Sequence, residues 1–135
     1  MFLDIDRAAL VDALREELGR SKGSFNLRDE GLLASALARP AQLAAYADRL
    51  PSIFQLAAAV SFGLVQNHPF LDGNKRAAFI ACAMLLAING YLLDMPEDLA
   101  ADTFLELAAG TLSEAELAVR LEAHCIEEPL GQKGP

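Results

Sequence analysis

Apolar residues along this chain recur at intervals of three and four, and the breaks between periodic stretches fall where Gly, Pro and Asn occur. Leu3, Leu10, Val11, Leu14 and Leu18 share one helical face, with Asp4, Asp6, Arg15, Glu16 and Glu17 opposite and Gly19 as the stop. The polar stretch Arg20–Arg28 follows, an irregular connection and the one place where a short β-hairpin is expected. A helix from Asp29 carries Leu32, Leu33, Ala36 and Leu37 and is expected to stop at Pro40, with another short helical piece over Ala41–Ala47. Pro51 to Asn67 reads as a long helix, apolar on nearly all sides, with Pro51 near its first turn. A break at His68–Pro69 separates it from a helix over Asn74–Asn89, closed by Gly90. Asp94 is placed to cap a helix with Pro96 in its first turn, running to Gly110. Ser113 and Glu116 have capping-box spacing for a last helix carrying Leu117 and Leu121. The pattern predicts an all-α fold, a compact helical bundle in which two central buried helices flank the loop His68–Gly73.

Length and composition narrow this picture. A chain of 135 residues, 53% hydrophobic and 22% charged, is expected to form one domain over residues 1–128, with 129–135 as a flexible tail. The net charge of −8 makes nucleic acid and anionic membranes poor partners, since both select basic surfaces. Two cysteines make no disulfide framework; Cys82 lies in an apolar run and reads as buried packing, which suits a reducing compartment. The uncharged run Ala77–Ile88 falls short of the roughly 20 residues a membrane span needs. With no secretory pattern at the start, a cytoplasmic location is expected.

The chemistry is concentrated in one place. Between Pro51 and Leu93 the only formal charges are Asp72, Lys75 and Arg76, and His68 lies beside them. They occupy a break between two helices too apolar to be anything but buried, and buried charges require partners. Lys75 and Arg76 also stand in the first turn of a helix, where the macrodipole is positive and cations are disfavoured. A bound phosphate reverses that sign, because helix N-termini and basic side chains both favour anions. Gly73 lets the backbone approach a ligand closely. Asp72 can hold Mg²⁺, Asn74 can donate its amide to a phosphate oxygen, and His68 is suited to removing a proton from a hydroxyl. Taken singly, Asp72–Gly73 is an ordinary turn and Lys75–Arg76 an ordinary surface pair; their co-occurrence in a charge-free region marks a site. No Walker pattern is present, and Val60-Ser61-Phe62-Gly63 lacks the first Gly of a nucleophile elbow because Ala59 stands there. His124 reads as a helix-end residue that packs or caps carbonyls.

The string His68-Pro69-Phe70-Leu71-Asp72-Gly73-Asn74-Lys75-Arg76 closely resembles the signature of the Fic/Doc superfamily, His-x-Phe-x-Asp/Glu-Gly-Asn-x-Arg. Leu27–Leu33 with Ser35–Pro40, and Asn89-Gly90-Tyr91, resemble the Doc (death-on-curing) branch. The resemblance implies a Fic-like helical fold in which His68 is the general base, Phe70 anchors the loop and Asp72 holds Mg²⁺. Gly73, Asn74, Lys75 and Arg76 would surround the phosphates of ATP, with Lys75 and Arg76 also taking part in catalysis. The Ser21–Arg28 stretch would be the flap that aligns the target. Members that transfer AMP usually have Gly where Lys75 stands and a second Arg where Phe79 stands, so Lys75 points to the Doc type.

That type resembles a kinase: a toxin that moves the terminal phosphate of ATP to a protein such as elongation factor Tu and arrests translation. AMP transfer to a protein hydroxyl is the alternative, and a catalytically silent partner-binding module a further one. Asn26 stands where the family's inhibitory helix has Ser or Thr, so the expected silencing partner is a separate antitoxin protein.

Overall fold

The computed structural model describes residues 2–20 and 26–128, the side chains of 18–20 excepted. Among the described residues six helices appear in chain order: α1 (Arg7–Arg20), α2 (Glu30–Tyr46), α3 (Ile53–Asn67), α4 (Asn74–Ile88), α5 (Glu97–Ala109) and α6 (Glu114–Ala123). The fold is all-α apart from a two-stranded antiparallel sheet of β1 (Tyr91–Leu93) and β2 (Cys125–Glu127), in which Leu92 faces Ile126. Among the described residues no helix is long and apolar enough to cross a membrane.

The Ala-rich sequence of α3 makes it central. Alanine has the best helix propensity and the smallest side chain, so Ala57, Ala58 and Ala59 let neighbours approach from several sides. Helices α2, α4, α5 and α6 all pack on it. Gly63 permits the tightest approach, because a Cβ there would meet Arg39 Cδ at 2.8 Å and Ala36 Cα at 3.1 Å. Arg39 bridges three elements: Nη1 donates to Ala59 O at 2.7 Å, pairs with Glu114 at 2.8 Å, and the guanidinium lies over the Phe62 ring. Ser61, fully buried, donates to Ala78 O at 2.7 Å and ties α3 to α4. Buried Leu64, Leu85, Leu86, Leu107, Leu117 and Leu121 fill the core, each contributing roughly 1.5–3 kcal/mol of apolar burial.

Several boundaries differ from the periodicity. Pro40 does not stop a helix; it is buried inside α2, which runs on to Tyr46. Proline withholds the N–H that would reach Ala36 O, a local cost of about 3 kcal/mol, and packing of α2 along α3 outweighs it. Pro51 lies outside α3, which Ser52 caps: its side chain accepts from Gln55 N, and Gln55 reaches back to Ser52 N. Likewise Pro96, not Asp94, precedes α5, while Asp94 N donates to His124 O as the sheet begins.

Leu3 is exposed ahead of α1, and its backbone is held by the Asn89 side chain through bonds of 2.7 and 2.8 Å. The sheet was unforeseen because each strand is three residues long, too short for a period to show. The hairpin expected within Arg20–Arg28 and the tail at 129–135 lie largely outside the described residues. The expected capping box of α6 is present, with Ser113 and Glu116 in reciprocal hydrogen bonds.

Candidate active site

The loop between α3 and α4 is shaped by its ends. Helix α3 terminates at His68, the only described non-glycine residue with positive φ (48°), whose N–H still bonds Leu64 O. Gly73, with φ 82°, then starts α4 in a left-handed conformation that a Cβ would strain. Between them Phe70 drops its ring into the core, 1% exposed.

Asn74 holds the loop from within. It is buried, its Oδ1 accepts Phe70 N–H at 3.1 Å, and its Nδ2 donates to Phe70 O at 2.9 Å and lies 3.2 Å from His68 Nδ1. Sequence reasoning gave this amide to a phosphate oxygen; in the structure its hydrogen bonds are made inside the loop. Only the Asn74 backbone N–H remains for an anion.

Segment 26–29 lies along the outside of the same loop. Leu27 bridges Phe70, Leu71 N donates to Asn26 O at 2.9 Å, and Arg28 N and Asp29 N both donate to Pro69 O. Arg28 adds its side chain, with Nε to His68 O at 2.9 Å and Nη2 to Asn67 O at 3.1 Å, so a cation covers the carbonyl end of α3. The described part of the expected flap is thus held against the loop by one β-bridge and these hydrogen bonds.

One expectation is overturned. The sequence places the charged groups in a buried break, but His68, Asp72, Lys75 and Arg76 are all exposed, and from His68 to Arg76 only Pro69, Phe70 and Asn74 are buried. The helices on either side are interior, yet the loop lies at their ends, where long polar side chains reach solvent. Those groups line a cleft of about 840 Å³. Its polar wall is the start of α4, and its apolar wall is Phe79 and Ile80 of α4 with Met95, Ala101 and Phe104 from the α5 region. Phe79 and Phe104 meet edge to face, centroids 5.6 Å apart.

The start of α4 is electrically open. Gly73 provides no side-chain cap, and the N–H groups of Asn74, Lys75 and Arg76 lie in the first turn, ahead of any i−4 acceptor. Three convergent donors, the positive helix end and two cations therefore face one cleft. Asp72 lines it too, with Oδ1 accepting Gly73 N–H at 2.8 Å. Among the described residues no three His, Cys, Asp or Glu side chains gather as a metal cage.

Two features of the cleft escaped the sequence. Glu17 of α1 pairs with Arg76 at 3.2 Å across the cleft, both about half exposed. The apolar wall from α5 was also missed. Neither has a local signal, since both depend on how distant helices dock. Away from the cleft, burial pushes the Cys82 thiol up to about 12, as packing alone would. His124 Nδ1 lies 3.0 Å from Arg120 O, in its expected helix-end role.

Comparison with known proteins adds two findings. The Fic/DOC family model matches residues 3–86, which include the whole loop and most of α4. A protein of Mycolicibacterium smegmatis named Toxin Doc is 41% identical over 88 residues, covering 64% of this chain and 68% of that protein.

Proposed function

Since the chain belongs to the Fic/DOC family, we propose that it is a Doc-like toxin that transfers the terminal phosphate of ATP to a protein hydroxyl and is silenced by a separate antitoxin. The observation that carries this reading is the uncapped start of α4, where three backbone N–H groups, Lys75 and Arg76 converge beside His68. The likeness to a protein named Toxin Doc supports the biological role.

The chemistry follows from the placement of groups. The phosphates lie on the N-terminus of α4, held by backbone donors and by Lys75 and Arg76, so catalysis is mainly positioning and charge stabilisation. Asp72 would hold Mg²⁺, which neutralises charge on the phosphate oxygens. A substrate hydroxyl attacks the terminal phosphorus, the bond to the oxygen of the departing diphosphate breaks, and His68 takes the hydroxyl proton. Phe79 favours phosphate over AMP: it stands where AMP-transferring relatives resemble one another in carrying a second Arg, and here it belongs to the apolar wall against Phe104. A translation factor such as elongation factor Tu is the proposed target class.

ATP labelled on either its α or its γ phosphate, incubated with the protein and a bacterial lysate, tests the reading. Label from the γ position is expected on a protein band and is expected to vanish with His68→Ala. Label from the α position on that band would replace the kinase reading with AMP transfer. Growth arrest that persists in His68→Ala cells would point to a binding module.

A further inference from the structure

The amide of Asn74 cannot be turned around. Its Oδ1 accepts Phe70 N–H and its Nδ2 donates to Phe70 O, so a flip would set N–H against N–H and oxygen against oxygen. The group that lies 3.2 Å from His68 Nδ1 is therefore an NH₂ with one hydrogen still available, and an amide nitrogen is a donor only. The His68 backbone is held as well, because its N–H bonds Leu64 O and its carbonyl accepts from Arg28 Nε.

We propose that Asn74 sets the tautomer of His68: the neutral ring keeps its lone pair on Nδ1, bound to Asn74, and presents Nε2–H to the cleft. Resting His68 is then a hydrogen-bond donor toward whatever occupies the cleft, suited to a phosphate oxygen or to the oxygen of a hydroxyl. It takes a hydroxyl proton at Nε2 only after the bond to Asn74 breaks and the ring exchanges protons with water, one leaving Nε2 and one arriving on Nδ1. Asn74 is thus a positioning residue that restrains the base for as long as its bond to Nδ1 stands. The functional meaning rests on the transferase reading above, whereas the tautomer itself does not.

Nitrogen NMR of the full chain tests this at a pH where the ring is neutral. His68→Ala distinguishes the two histidines, His68 and His124. The expected result is an unprotonated Nδ1 and a scalar coupling across the hydrogen bond between Asn74 Nδ2 and His68 Nδ1. Asn74→Ala should abolish the coupling and raise the fraction protonated at Nδ1. A protonated Nδ1 in the native chain, or an unprotonated one with no coupling to Asn74, overturns the proposal. So does a tautomer unchanged in a folded Asn74→Ala protein. The native spectrum decides even where the variant does not fold. Failure here leaves phosphate transfer standing, and failure of the labelled-ATP experiment leaves the tautomer assignment standing.

Discussion

Helices α3 and α4 run side by side through the same core, yet their N-termini are built in opposite ways. Helix α3 begins with Ser52 and Gln55 satisfying each other's backbone, and α6 repeats the device with Ser113 and Glu116. Helix α4 begins at a glycine with no side-chain cap and places two cations in its first turn. A capped start is closed to ligands and contributes stability. An uncapped start flanked by Lys75 and Arg76 is unfavourable by itself and becomes favourable when an anion arrives. The difference separates a helix end closed by its own side chains from one left open to an anion, using only hydrogen-bond inventory and the sign of nearby charge.

That contrast can be broken at several points. The largest effect is expected for His68→Ala, which should lower transfer by roughly 10²- to 10⁴-fold while circular dichroism stays native, because the side chain is exposed. Truncating Lys75 and Arg76 to alanine should come next. Charge-assisted hydrogen bonds are worth about 1.5–3 kcal/mol each, so ATP affinity by calorimetry should fall at least tenfold per residue with little change in melting temperature. Retained ATP binding would show that the α4 start is not the phosphate site.

The capped ends should respond in the reverse sense. Ser52→Ala and Ser113→Ala should each cost about 1 kcal/mol in denaturant unfolding and leave ATP affinity alone. Glu116 sharpens this: hydrogen bonds from Ser113 hold its carboxyl below the ordinary 4.5. A lowered folded value means the stabilisation is present above pH 4.5 and fades as pH falls through that lowered value. The gap between native and Glu116→Ala proteins should therefore narrow in acid, because the main cause is the Ser113 backbone N–H on the Glu116 carboxylate.

Glu17→Gln should give the smallest change. An exposed ion pair is worth about 0–1 kcal/mol, so release of Arg76 should tighten ATP binding by at most about fivefold. A larger gain would make Glu17 a gate on the cleft.

The helices were legible because burial repeats with the helical period, and α6 was legible to its cap. The nine-residue signature was legible because glycine, histidine and paired cations are rare in so apolar a region. Pro40 misled because its local penalty is visible in sequence while the packing that overrides it is not. Asn74 was legible only in part. Its residue type suits a phosphate contact, but its partner, the Phe70 backbone, becomes available only when the loop closes on itself.

By itself the sequence determined that this protein is a helical bundle with its charges gathered in one loop between two apolar helices, because periodicity, capping and charge placement are local properties. Only the tertiary structure decided that the loop's charges reach solvent, that α5 supplies an apolar wall, that Glu17 meets Arg76, and that Asn74 faces His68. Those are contacts between groups distant in the chain or between side chain and folded backbone, and no local pattern encodes the distance between them.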